Sequence, residues 1–157
     1  MSVVAEVESE HGGYQAPRRL QRLPSWLAGQ VAKKAEQLVG EALAHDGVRR
    51  PHFAVLTSLA EQGAASQAAL GRRLWIDRSD LHAILAELER AGLVARVRDP
   101  ADRRRNIVTI TPVGMDALSR LDERVESAQR ALLAPLSGSE RRELLRLLER
   151  LAGAGEG

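Results

Sequence analysis

Cysteine is absent from the 157 residues, which excludes disulfide staples, thiolate metal sites and thiol-based redox sensing by this chain. Aromatics are scarce, with one Phe, one Tyr and two Trp. A core must then come from Leu, Val, Ile and Ala, which pack helix against helix readily, so a mostly helical fold is expected. No apolar run approaches the roughly 18 residues that a bilayer span requires. The first eight residues carry Glu6 and Glu8 instead of the basic-then-apolar order of a signal peptide, so a cytoplasmic protein without membrane attachment is expected. G-x-S-x-G, the P-loop and H-E-x-x-H are also missing, and no compact acid–base pair stands away from exposed helix faces, so enzymatic activity is not expected. The histidines show neither H-x-x-x-H spacing nor an acidic cluster, and neither a metal nor another cofactor is expected.

What is present is an Arg-rich chain of one-domain length. The net charge is only +2, but its distribution is uneven. Between Arg72 and Thr111 nine arginines stand against six acids (Asp77, Asp80, Glu87, Glu89, Asp99, Asp102), and the remaining residues carry a slight negative excess. A positive field confined to one segment points to a polyanionic partner at that segment.

Residues 1–21 mix charges with Gly12, Gly13 and Pro17 and show no apolar period, as a flexible arm would. Its Arg18, Arg19 and Arg22 are either solvated or phosphate contacts. Residues 22–157 read as a single domain. Pro24 opens an amphipathic helix through Trp26, Leu27, Val31, Leu38 and Leu43 that ends near Gly47. Pro51 opens a second helix, over 51–62, stopped by Gly63. Ser66 can cap a short helix over 67–74, and a tight connection at Trp75, Ile76 and Asp77 leads to a fourth helix over 78–91, stopped by Gly92.

The period then switches to alternation from Leu93 to Arg98, and β-branched Ile107, Val108, Thr109 and Ile110 follow the turn-rich Asp99–Asn106. This predicts a two-stranded hairpin with a long basic tip. Thr111–Pro112 starts a long helix over 112–134, and Ser137 with Glu140 forms a capping box for a last helix over 138–152. The fold class is therefore mostly α (α+β): a winged helix-turn-helix over 50–112 with a two-stranded β-wing, flanked by a helical dimerisation layer from helices over 23–46, 112–134 and 138–152. The leucine-rich faces of those flanking helices are broader than one winged-helix core can cover, which implies a homodimer, the alternative being a monomeric bundle that uses those leucines as its own core.

A thin protrusion bearing Arg103, Arg104 and Arg105 suits a minor groove, where narrow segments concentrate negative potential. Beyond this physical argument, the run LERAGLVARVRDPADRRRNIVTITPVG, Leu88 to Gly114, resembles the MarR family, the multiple antibiotic resistance regulators. The family shows a Leu-Glu, a Gly-Leu-Val, a D-x-R wing tip and a Leu/Ile-Thr before the next helix, and the likeness covers about residues 25–152. It implies a transcriptional regulator, with repression the expected sign, that binds double-stranded DNA as a homodimer on a pseudo-palindromic operator. In the D-x-R pattern Asp102 would hold Arg104 extended for insertion into the minor groove, with Arg103 or Arg105 on phosphates.

The helix over 78–91 becomes the recognition helix, and its first turn enters the major groove. Arg78 and Ser79 suit phosphate or guanine, Asp80 could accept from cytosine or cap the helix, and His82 could donate to a purine. Ala83 stands where the family often has Arg, a departure at the base-reading surface. Ser66 and Gln67 are either phosphate contacts or plain helix starters. The resemblance also implies a small-molecule effector near the junction of dimer layer and winged helix, with Trp26, His45, His52, Phe53 and Trp75 as candidates. The alternative function is a winged helix that binds protein without DNA, which salt response would distinguish.

Overall fold

The structure is a computed structural model that describes residues 16–153. The chain divides into two units, residues 1–33 and 34–157. Within the first, Leu20–Arg22 form a short 3-10 turn in the segment expected as an arm, whose residues 1–15 lie outside the described residues. Pro24 then opens helix α1 (Pro24–Ala44), its missing N–H falling where no intrahelical partner exists. Leu27 and Val31 of this helix are exposed.

The second unit takes the remainder of α1 and continues through α2 (Arg50–Gln62), β1 (Ala65–Ser66), α3 (Gln67–Leu74), α4 (Arg78–Arg90), β2 (Val94–Arg98), β3 (Asn106–Ile110), α5 (Pro112–Leu132) and α6 (Gly138–Ala152). Its core is aliphatic, as the shortage of aromatics requires. Leu43 of α1, Val55 and Leu56 of α2, Leu70 of α3, Leu81 and Leu85 of α4, Val108 of β3 and Leu121 of α5 are almost wholly buried. Each such leucine contributes roughly 1.5–3 kcal/mol by leaving water. The apolar residues of α4, at positions 81, 84, 85 and 88, form one helical stripe facing that core, which leaves Ser79, Asp80, His82 and Ala83 outward.

The expected two-stranded wing is present, and the sheet gains one strand more. β1 adds to the β3 edge of the wing hairpin, giving three antiparallel strands in the order β1-β3-β2. Ala65 pairs with Val108 and Ser66 with Ile107, while β2 pairs with β3 from Val94↔Ile110 to Arg98↔Asn106. Two residues are too few to show an alternating pattern, so β1 left no periodic signal. It nevertheless joins the start of α3 to the wing.

Helix ends follow the chemistry of their caps. Ser66 Oγ accepts from the N–H of Ala69, Thr111 Oγ1 from that of Gly114 at 3.0 Å, and Ser137 Oγ from that of Glu140. Helix α1 stops two residues short of the expected 46 because Asp46 and Gly47 donate back to Leu43 and Ala44 in a turn, with Gly47 at a φ of 69°. Gly114 is required where α5 starts, because a Cβ there would stand 2.1 Å from the Leu93 carbonyl oxygen. Thr111 closes the same junction, donating its N–H to Leu93 O at 3.0 Å and its hydroxyl to Gly92 O at 2.6 Å.

Candidate nucleic-acid interface

Helix α4 begins at an acid, but the capping acid is Asp77. Its Oδ1 accepts from the N–H of Ser79 at 2.7 Å, the N–H of Asp80 at 3.1 Å and the hydroxyl of Ser79 at 2.8 Å. These donors hold the Asp77 carboxyl below its usual range, the Ser79 hydroxyl most of all. Two consequences follow for the outward turn. Asp80 is relieved of the capping role and makes no side-chain hydrogen bond among the described residues. The Ser79 hydroxyl hydrogen is given to Asp77, which leaves its oxygen as an acceptor. Arg78 and His82 are exposed on the same turn, and Ala83 beside them offers a methyl.

The wing tip is shaped by backbone contacts. Asp102 Oδ1 accepts from the Arg104 N–H at 3.0 Å, Asp102 O from the Arg105 N–H at 2.9 Å, and Asp99 donates its N–H to Arg105 O at 2.9 Å. The expected hold of Asp102 on Arg104 is therefore exerted on its amide and leaves the guanidinium free. Asp99 adds a similar turn, accepting from the Ala101 N–H at 2.9 Å. Among the described residues none of Arg103, Arg104 and Arg105 forms an ion pair, and all three are exposed.

Between the starts of α3 and α4 and the wing lies an open cleft of about 1350 Å³. Of the residues singled out from sequence, Ser66, Gln67, Arg78, Ser79, His82, Arg104 and Arg105 line it together. Asp80, Ala83, Asp102 and Arg103 are exposed but outside its lining. Sequence reasoning missed Arg72, Asn106 and Asp77, which also line it. Arg72 stands four residues after Ala68 on α3, a same-face spacing that could have found it.

A polar cluster built on the buried His52, with Arg49 and Glu87 reaching into solvent, backs α4. The Arg49 N–H donates to His52 Nδ1 at 3.1 Å, so the ring proton sits on Nε2, which donates to Glu87 at 2.7 Å. Arg49 Nη2 reaches both Glu87 oxygens, at 3.0 and 3.3 Å. Arg49 chiefly, and His52 next, hold the Glu87 carboxyl below its usual range. His52, offered from sequence as an effector contact, is thus committed to fixing α4 against the start of α2.

The other effector candidates are dispersed. Phe53 packs, partly buried, on the core, and Trp75 stands out on the α3–α4 turn and lines neither cavity described here. His45 lines a groove of about 640 Å³ between α1 and α5, together with Leu38, Arg120 and Arg124. Arg124 is paired with Asp46 there. Trp26 is half-buried in the first unit. Among the described residues no group of His, Asp and Glu could hold a metal ion, and no helix is long and apolar enough to cross a membrane.

Two helices joined by a tight turn, a capped second helix with an outward polar turn, and a basic wing beside it define a winged helix-turn-helix protein. A model of the MarR family matches residues 46–105. A protein of Thauera aromatica named for transcriptional regulation of the hcr operon is 36% identical over 106 residues, 68% of this chain and 64% of that one. The match thus spans less than two thirds of that relative. The HTH-type transcriptional repressor Rv2887 of Mycobacterium tuberculosis is 32% identical over 113 residues, 72% of this chain and 81% of that one. The PcaV transcriptional regulator of Streptomyces coelicolor, solved in complex with its natural ligand, superposes with a TM-score of 0.74 at 30% identity, covering 90% of this chain and 100% of that one. The chain belongs to the MarR family: it is a transcriptional regulator built on the DNA-binding winged-helix fold. Its relatives are regulators and not enzymes.

Proposed function

We propose that the chain is a repressor that binds a pseudo-palindromic operator as a homodimer, with α4 in the major groove and the Arg103–Arg105 tip in the minor groove. The observation that carries this reading is the cleft. Residues from three separate stretches, at positions 66–67, 78–82 and 104–105, share one surface with the cationic groups of Arg72, Arg78, Arg104 and Arg105, and the one carboxylate in its lining, Asp77, is taken up in capping α4. Arg104 takes the minor groove, Arg103 or Arg105 a phosphate, and Ser66 and Gln67 the backbone at the start of α3. Arg78, Asp80, His82 and Ala83 face the bases.

The dimer is supported by α6, whose Leu145 and Leu148 remain 59% and 50% exposed, and by exposed Leu27 and Val31 on α1. Apolar stripes of this kind are covered in a stable assembly. The repressor sign rests on relatives that carry that name. Release by a small anionic effector is supported by the α1–α5 groove, where His45 and Arg120 stand above the apolar Leu38 and Ala42. The domain reading is the one made from sequence: a single domain over 22–157, with the winged helix over 50–112.

The test is selection of bound fragments from genomic DNA, followed by mobility-shift titration of the recovered duplex and of its halves. Two half-sites one helical turn apart should be required, and halving the palindrome should weaken binding by orders of magnitude. Full affinity for one half-site would overturn the dimeric reading, and insensitivity to salt would overturn DNA as the partner.

A further inference from the structure

We propose that Trp75 is a sequence-independent contact to the DNA backbone beside the recognition helix, an inference that rests on the DNA-binding reading above. Trp75 is 96% exposed, at the turn between α3 and α4. Its backbone is left-handed, with φ 54° and ψ 39°. At the other described positions where the chain adopts positive φ it places glycine: Gly47, Gly63, Gly92 and Gly153. Among the described residues only Trp75 carries a Cβ into that region, where the side chain crowds its own carbonyl.

The turn itself explains why the indole cannot be withdrawn. Ile76 donates its N–H to Gly71 O at 3.1 Å, and Trp75 donates to the same oxygen. This helix-ending motif turns Ile76 inward onto the core and leaves the residue before it outside. Gly71 permits the fold-back, since a Cβ there would meet Ile76 O at 3.1 Å. A large apolar side chain is therefore held in water, in a strained conformation, with no return in folding. Such a residue is explained by a partner that covers it.

The charges around it identify that partner. Arg72 and Arg73 end α3 and Arg78 begins α4, all three exposed and none in an ion pair among the described residues. Of the two carboxylates near them in sequence, Asp77 is engaged in capping and Asp80 lies in the first turn of α4, outside the cleft lining, so the three guanidiniums outnumber the free acid. Arg72, Ile76, Asp77 and Arg78 line the cleft proposed for DNA, and Trp75, outside that lining, belongs to the turn that forms its rim. An indole among unpaired guanidiniums at that rim fits the sugar-phosphate backbone. Its face packs on deoxyribose, and Nε1–H donates to a phosphate oxygen.

A Trp26→Phe variant leaves Trp75 as the sole tryptophan, since the sequence has two. Its emission and iodide accessibility are followed during titration with two duplexes of about 30 base pairs, long enough for two half-sites. One is the selected operator and the other has random sequence. Both duplexes should shift the emission and shield the indole from iodide. In the otherwise unaltered chain, Trp75→Gly should bind both about tenfold more weakly. The slope of log K against log salt should not change, because a neutral indole releases no counterion. Its melting temperature should be unchanged or higher, since glycine relaxes the left-handed residue. If the unaltered chain binds DNA while Trp75 stays open to iodide and Trp75→Gly keeps full affinity, this contact is refuted and the DNA-binding reading stands. If the unaltered chain binds neither duplex, both fall.

Discussion

His52 donates from Nε2 to the Glu87 carboxylate at 2.7 Å, linking the first turn of α2 to α4 across 35 residues of sequence. Both imidazole nitrogens are used, because Nδ1 accepts the Arg49 N–H. Beside the buried stripe of Leu81, Ile84, Leu85 and Leu88, α4 is therefore held by an ionised carboxylate.

Removing that charge should loosen α4 without unfolding the core. Glu87→Gln is expected to reduce operator affinity and speed amide exchange at α4, with its circular dichroism nearly intact. The pH dependence has a defined sign. The folded carboxyl titrates below the ordinary value of a glutamate, so its contribution is complete above that ordinary value and is lost as pH falls through the lower folded one. In Glu87→Gln this acid-side component of the stability–pH curve should vanish. An unchanged curve would show that the cluster does not act on stability.

Arg104→Glu should abolish binding to the selected operator while the dimer survives, since the reversed charge meets phosphate at a tip that makes no contact with the core. Sedimentation and a mobility-shift titration together check this. Undiminished affinity would remove the wing from the interface.

At Asp77 the expected outcome separates capping from base reading. Asp77→Ala frees two backbone N–H groups and lowers the melting temperature, whereas Asp80→Ala leaves it in place and alters only the preferred sequence. Thermal melts and a selection experiment on both variants make the comparison. Equal destabilisation by the two would mean that the caps are shared.

Gly114→Ala puts a methyl 2.1 Å from a backbone carbonyl oxygen, which no rotamer can relieve. A loss of about 2–3 kcal/mol is expected, read from the denaturant midpoint.

Leu145→Glu with Leu148→Glu should yield a monomer with reduced operator affinity. Neither side chain is buried in the single chain, so its own melting should change little. A dimer persisting in sedimentation would clear α6 of that role.

Where local chemistry decides structure, the sequence was readable. Ser66, Thr111 with Pro112, and Ser137 with Glu140 each announced a helix start that the structure contains. The aliphatic stripe of α4 told which of its residues face outward. Long-range contacts were not readable. The two-residue β1 exists because β3 offers it partners some forty residues away, and no window of sequence holds both. Glu87 looked like one acid on an exposed helix face until the fold brought Arg49 and His52 against it. The choice between Asp77 and Asp80 as the cap turned on where the preceding turn ends, and the left-handed Trp75 disguised that point, since glycine or asparagine ordinarily marks it.

The junction at Thr111 has a mechanical consequence. One residue separates β3 from α5, and that residue is bonded to Gly92 and Leu93 at the foot of the other wing strand. The hairpin and the 21-residue α5, about 30 Å long, therefore turn as one crank. A small tilt of the far end of α5 swings the arginine tip through an arc, so whatever seats against that helix sets the reach of the wing.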